Sequence, residues 1–233
     1  MGKKTLWASL VALVLLLCFF EFTNTDLLIQ EHLYLPLEKT WVLKDPGLRY
    51  RAIFYHAIKV PIYFIAGIAL FATIISFTKN IWREYRKGWI IVLLSLIILP
   101  GGIAVIGKNL TNVQCPDDLN HFAGHIPYVK LFDHYPPNPE TADHKWPRGK
   151  CFPAGHASVG FALLSLVCLF RRRRNKMIAF VFAMSMGWIM GVYQMLRGAH
   201  FLSHHLTTMI LAFILVSSLN ILIKDYSHER IVT

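Results

Sequence analysis

Long apolar blocks separated by short polar segments dominate this sequence. A helix needs about 20 largely apolar residues to cross the hydrocarbon layer of a bilayer. Blocks of that kind predict spans at Leu6–Phe22, Val60–Phe77, Trp89–Ile106, Phe152–Phe170, Met177–Leu196 and Leu206–Ile223. The pattern therefore predicts an all-α integral membrane protein in which residues 1–233 form one domain, a bundle of six transmembrane helices.

Lysine and arginine lie mainly between these blocks and predict the direction of each span. If the N-terminus is cytoplasmic, more than half of the 24 Lys and Arg residues fall in the inside segments: Met1–Thr5, Thr78–Gly88, Arg171–Lys176 and the tail from Lys224. The positive-inside rule favours this orientation. Both termini are then cytoplasmic, and the loop Lys108–Cys151 lies outside. The first block lacks the small residues of a signal-peptide cleavage site, so we expect a retained anchor.

The formal net charge of +11 is typical of proteins that bind nucleic acid or a membrane surface. Nucleic-acid binding needs basic residues along one soluble face. Here they flank apolar blocks, and 55% of all residues are hydrophobic. We therefore expect no nucleic-acid partner and no obligatory protein partner. The outside loop is too short for an independent enzyme domain, so any chemistry must arise where loops and helix ends meet.

Three polar clusters fall on the predicted outer side: Lys108–Pro116, Cys151–Ser158 and Arg197–His205. In the second cluster, Pro and Gly suit a tight helix entry, where unpaired N–H groups favour an anion beside His156. His200 and His204 are spaced to share one helix face, so that one imidazole can orient the other. Lys108 and Arg197 offer fixed positive charge for phosphate oxygens. Together these residues indicate a phosphate site.

Each of these residues also has a simpler interpretation when it is taken alone. A single His, Lys or Arg at a membrane interface is ordinarily a polar end group. A metal site is another alternative, because His121 and His125 are four residues apart, as are His200 and His204. We do not favour a metal, since neither an H-E-x-x-H pattern nor a paired carboxylate accompanies them.

The clusters together resemble the type 2 phosphatidic acid phosphatase family, which is related to the vanadium haloperoxidases. That family has the pattern K-x6-R-P, then P-S-G-H, then S-R-x5-H-x3-D, on a six-helix core with its site at the outer membrane face. The resemblance extends from the third predicted span to the end of the sixth. It implies phosphoryl transfer from a lipid through a phosphohistidine, without a metal or an organic cofactor.

The matching positions imply roles for individual residues. Lys108 matches the phosphate-binding lysine of the first motif. Gly155 and His156 match the second motif, in which the histidine protonates the leaving alkoxide. His200 matches the nucleophile. His204 stands in place of the final aspartate, where it can accept a hydrogen bond from His200 only as a neutral imidazole.

Four positions depart from the family pattern: Cys115 for Arg, Ala154 for Ser, Tyr193-Gln194 for Ser-Arg and His204 for Asp. Two phosphate-binding arginines are thus missing from their usual places. We expect Arg197, one turn beyond Gln194, to replace one of them. Arg148 or Lys150 would replace the other. The changes favour an altered site, and an inactive site is the alternative.

Cys115 and Cys151 both fall in the outer segments, where a bacterial envelope or secretory lumen oxidises thiols. We predict a disulfide between them, which would join the first cluster to the second and hold Lys150 near the site. Two free thiols are the alternative. Cys18 and Cys168 fall within spans and would act as small apolar side chains.

The expected function is a lipid phosphate or diphosphate phosphatase of the bacterial inner (cytoplasmic) membrane, with its active site facing the periplasm. The expected partner is a phosphorylated lipid: undecaprenyl diphosphate, phosphatidic acid, phosphatidylglycerol phosphate or lipid A. Two alternatives stay open. One is a lipid phosphotransferase that uses the same intermediate, and the other is a non-catalytic membrane protein that binds anionic lipid.

Overall fold

The computed structural model of the protein describes residues 1–43, 57–79 and 83–224. The α-helices in these ranges are α1 Lys3–Phe22, α2 Thr25–Glu31, α3 Val60–Thr78, α4 Arg86–Ile97, α5 Ala104–Leu110, α6 Gly155–Phe161, α7 Arg173–Leu196 and α8 Leu202–Leu222. The short strands β1 Tyr34–Leu35 and β2 Thr40–Trp41 pair antiparallel. Residues 80–82 of one predicted inside segment, and the predicted cytoplasmic tail beyond Lys224, lie outside the described residues.

Apolar helices of membrane-spanning length confirm that this is an all-α membrane protein. Five such helices occur in the described ranges: Lys3–Phe22, Ala57–Thr78, Arg83–Leu110, Arg173–Leu196 and Leu202–Leu222. Each contains most or all of one span predicted from the sequence. The sixth predicted span, Phe152–Phe170, instead forms a shorter apolar helix, Gly155–Cys168. A six-span bundle therefore stays a prediction.

The shorter helix lies at the centre of the bundle. It begins as α6 and continues as a 3₁₀-helix over Ala162–Cys168, which rises about 2.0 Å per residue instead of the 1.5 Å of an α-helix. The side chains of Phe161, Leu163 and Leu164 are fully buried. A Cβ atom at Gly160 would lie 2.7 Å from Gly187 on α7, so these two glycines allow the helix backbones to touch. The other helices thus surround the start of α6.

A π-helix at Ile98–Ile103 interrupts the third long helix between α4 and α5. It contains Pro100, which lacks the N–H that an α-helix requires at that position. A π-turn widens the helix locally and absorbs this defect. The helix then continues through α5 to Leu110, which carries Lys108 to the end of the bundle.

The helix ends gather at two opposite ends of the bundle. At one end, Asn220 donates a hydrogen bond to the carbonyl of Met1, and Arg171 pairs with Glu84 at 3.2 Å. These residues belong to, or adjoin, the segments predicted to be cytoplasmic. The three polar clusters lie at the other end. The contacts therefore agree with the predicted up-and-down order, and the side of the membrane on which each end lies stays a prediction.

Candidate active site

The first two clusters are joined by a disulfide between Cys115 and Cys151, which confirms the sequence prediction. Their Cα atoms are 5.2 Å apart. The backbone beside the disulfide is paired as well, because the Cys151 N–H donates to the Val113 carbonyl at 3.0 Å. Gly149 permits this close approach, since a Cβ atom there would lie 2.4 Å from the Val113 carbonyl. The disulfide therefore fixes the chain that leads into α6.

The second cluster is held against the third by Thr208 of α8. The Ala154 N–H donates to the Thr208 hydroxyl at 2.9 Å, and that hydroxyl donates to the His204 carbonyl at 2.8 Å. On the opposite side, Pro153 packs against Gly107 of α5, where a Cβ atom would come within 2.4 Å of the proline ring. The start of α6 is therefore wedged between α5 and α8, which brings the three clusters together.

His200 and His204 meet as predicted, but they do not share a helix face, because His200 lies two residues before the start of α8 at Leu202. Their Nδ1 atoms lie 3.3 Å apart. Both residues are buried, with His200 4% exposed and His204 1% exposed. The tautomers decide which ring donates across this contact. A neutral His204 with its hydrogen on Nε2 keeps a lone pair on Nδ1. It can then accept the hydrogen of the His200 Nδ1–H, which leaves Nε2 of His200 available for attack.

Lys108 lies directly against the start of α6. Its Nζ atom would be 3.3 Å from a Cβ atom at Gly155, so the absence of a side chain at this glycine gives the ammonium group room. Burial, together with the nearby His204, His205, Lys108 and His156, holds the pKa of His200 well below its usual range. His200 is therefore a neutral imidazole at neutral pH, the protonation state that a nucleophile needs.

Three cations act electrostatically on the half-buried His156. Lys59, Lys108 and Arg197 lie close enough for their charges to act on its imidazole. Arg197 caps α7, and its guanidinium carbon lies 5.6 Å from the centre of the Tyr193 ring. Lys59 comes from the start of α3 and was missed in the sequence analysis, where its only signal was a basic residue at the outer end of a span. The site thus contains the positive charge that a phosphate requires.

Arg148 and Lys150, the other predicted replacements, lie at exposed positions. Arg148 donates a hydrogen bond to the Asn109 carbonyl. Neither residue is among the charges that act on His156 or His200. The arrangement therefore favours Arg197 and Lys59 over Arg148 and Lys150 as the cations of this site.

Comparison with known proteins agrees with this geometry. A family model described as the PAP2 superfamily matches residues 88–226, more than half of the chain. The chain belongs to the PAP2 superfamily. A lipid A 4'-phosphatase of Francisella tularensis subsp. novicida (strain U112) is 26% identical over 204 residues, which cover 83% of this chain and 86% of the relative. No solved structure matches the chain. The two matches support a membrane lipid phosphatase.

The PAP2 match begins at residue 88, so it includes Lys108, His156 and His200 but not the N-terminal helices. Asp26 of α2 precedes it and was also missed in the sequence analysis. This carboxylate accepts a hydrogen bond from the Ser203 backbone N–H at 3.0 Å and thereby caps α8, the helix that carries His204. No motif indicated this contact, which joins residues 177 positions apart.

Burial raises the pKa of Asp26 to about 6 from 3.8, against the opposing effect of its hydrogen bonds to Ser203. Because the folded pKa is raised, the contribution of Asp26 to stability is greatest below about pH 4 and declines as the pH rises through 6. An asparagine at this position would keep an acceptor oxygen without the charge. We therefore compare the free energy of unfolding of Asp26→Asn with that of the unsubstituted protein. As the pH rises from 5 to 7.5, this difference should shift in favour of Asp26→Asn, by at most about 3 kcal/mol.

Thermal unfolding in detergent at these two pH values checks this expectation. The exposed Asp133 provides a matched control, because Asp133→Asn removes a carboxylate that is already solvated. If Asp26→Asn and Asp133→Asn show the same pH dependence, Asp26 is not the titrating group.

Proposed function

We propose that this PAP2 protein hydrolyses phosphorylated lipids through a phosphohistidine formed on His200. The observation that carries the proposal is the 3.3 Å contact between the Nδ1 atoms of His200 and His204, close enough to His156 and Lys108 for their charges to act on His200. A neutral imidazole with an oriented partner, near fixed cations, has the features of a phosphoryl-accepting nucleophile.

In the first step, Nε2 of His200 attacks phosphorus while the bond from phosphorus to the lipid oxygen breaks. His156 starts as an imidazolium, which the bound phosphate anion stabilises against the neighbouring cations, and it donates its proton to that oxygen, so that the lipid leaves as a neutral alcohol. In the second step, water attacks the phosphohistidine, His156 accepts a proton from the water, and the P–N bond breaks. Inorganic phosphate leaves, and both histidines return to their starting states.

Lys108, Arg197 and Lys59 neutralise the phosphate oxygens during both steps. Charge stabilisation of this kind dominates phosphoryl transfer, because the protein contributes mainly position and electrostatics. His204 holds the tautomer of His200 and shares the positive charge that develops on it. A neutral imidazole stabilises that charge less than a carboxylate does. The cations near His156 cannot stabilise a positive charge on His200 in its place.

The site would lie at headgroup depth on the outer face of a bacterial inner membrane, with both termini cytoplasmic. This placement rests on the distribution of Lys and Arg and on the gathering of all three clusters at one end of the bundle. A lipid phosphate would reach the site from the adjoining leaflet, while its acyl chains remain in the hydrocarbon.

Lipid A is the first substrate to test, because the bacterial relative is named a lipid A 4'-phosphatase. The experiment measures phosphate release in detergent from lipid A, phosphatidic acid, phosphatidylglycerol phosphate and undecaprenyl diphosphate, with His200→Ala protein as the blank. Release from at least one lipid supports the proposal. Transfer of phosphate to an added acceptor lipid without release would instead indicate a phosphotransferase. Lipid binding without either reaction would indicate a non-catalytic protein.

A further inference from the structure

His205 follows His204 on α8 and has no role in the mechanism described above. Its side chain is fully buried, at 0% exposure. Neither ring nitrogen has a hydrogen-bond partner among the residues in the described ranges. A buried polar group without a hydrogen-bond partner destabilises the fold, and two such atoms on one ring call for a functional explanation.

The surroundings of His205 place it inside the proposed active site. Its ring centre lies 5.5 Å from that of His200, with the two planes at 86°. His156 lies close enough to act on it electrostatically. On its other side, Nδ1 of His205 would be 3.1 Å from a Cβ atom at Gly191 of α7. The imidazole therefore fills the space between α7 and the two histidines that flank the phosphate position.

Gly191 explains how an imidazole fits at this point. Any larger residue there would press on the His205 ring, since 3.1 Å is shorter than an ordinary carbon–nitrogen contact. Gln194 is three residues further along α7 and so lies on the same helix face. Position 194 is where the family pattern has an arginine. This chain has no guanidinium at position 194 itself, and a buried imidazole packs against Gly191 one turn away.

We propose that His205 is a third imidazole of the substrate site and donates a hydrogen bond to an oxygen of the phosphate ester. This inference rests on the proposed function. A neutral imidazole has one N–H donor, and a buried donor aimed at developing charge contributes strongly in a site that excludes water. Such a donor stabilises the phosphoryl group in the transition state more than in the bound ester. Its removal therefore lowers kcat as well as raising KM.

The test compares His205→Leu, which removes the donor at similar volume, with His205→Gln, which retains an N–H donor. We expect His205→Leu to lower kcat/KM for the preferred lipid phosphate by about 10²-fold. It should also weaken inhibition by orthovanadate by at least about tenfold, because vanadate mimics the pentacoordinate phosphorus. His205→Gln should retain most of the kcat/KM and most of the orthovanadate inhibition of the unsubstituted protein. His125→Gln is the matched control, since His125 is exposed.

A second pair of variants displaces the ring without removing it. Gly191→Ala should shift the His205 ring and lower kcat/KM, as His205→Leu does. This variant tests the proposal even if His205→Leu does not fold. Gly67→Ala is its control, because a Cβ atom at Gly67 meets nothing within 4 Å. If folded His205→Leu and Gly191→Ala both keep kcat/KM and vanadate inhibition within about threefold of the unsubstituted protein, the assignment of His205 is wrong.

Failure of the proposed function gives a different result. In that case the unsubstituted protein releases no phosphate from any lipid. Protection against thermal unfolding by orthovanadate then tests His205 directly. Equal protection of the unsubstituted protein and His205→Leu overturns the inference, and selective loss of protection in His205→Leu supports it.

Discussion

Replacing His200 with glutamine is expected to reduce phosphate release from lipid by at least about 10³-fold. Glutamine has no lone-pair nitrogen that can form a bond to phosphorus, so the covalent route is closed. The substitution keeps a polar side chain in the buried position next to His204, which limits the effect on folding. Initial rates of phosphate release in detergent, at substrate concentrations well above KM, measure the loss.

The exposed His125 again supplies the control, and His125→Gln should retain the rate of the unsubstituted protein. Thermal unfolding of each purified variant separates a chemical defect from a folding defect. If folded His200→Gln retains more than about a tenth of the normal rate, His200 is not the nucleophile.

Replacing His156 with glutamine is expected to lower the rate by about 10² to 10⁴-fold for a lipid phosphate. The loss should depend on the leaving group. A lipid alkoxide is a poor leaving group and needs the proton of His156, whereas a nitrophenolate leaves without one. We therefore expect a much smaller loss with 4-nitrophenyl phosphate in the step that forms the phosphohistidine.

Burst kinetics with 4-nitrophenyl phosphate isolate that first step. In His156→Gln the burst of nitrophenolate should remain fast while the later steady rate falls, because His156 also activates the water of the second step. An equal loss for lipid and aryl substrates in the first step would assign His156 to binding and not to proton transfer.

The membrane class and most helices follow from apolar block length. Five predicted spans are found as helices whose ends lie within six residues of the expected ones. The sixth deviates because its first residues are polar or helix-breaking and because the later half adopts a 3₁₀ form, neither of which hydropathy detects. The Cys115–Cys151 disulfide was also predictable, since only these two cysteines fall outside the predicted spans.

The site was predictable where function depends on local spacing, and not where it depends on contacts between distant segments. His200 and His204 are four residues apart, and this short separation keeps their rings together even though His200 lies just before α8 and not on it. Asp26 and Lys59 reach the site from helices far away in sequence. His205 was visible in the third cluster, but only burial against Gly191 distinguishes it from an ordinary core residue.

Trapping the covalent intermediate tests the central claim most directly. The protein is mixed with lipid substrate labelled with ³²P, quenched in alkali after milliseconds, digested, and analysed by mass spectrometry. Alkali preserves phosphohistidine, whereas acid destroys it. The proposed mechanism predicts an acid-labile phosphate on His200, which is absent from His200→Gln. Steady phosphate release without any protein-bound label, or a label on another residue, would contradict it.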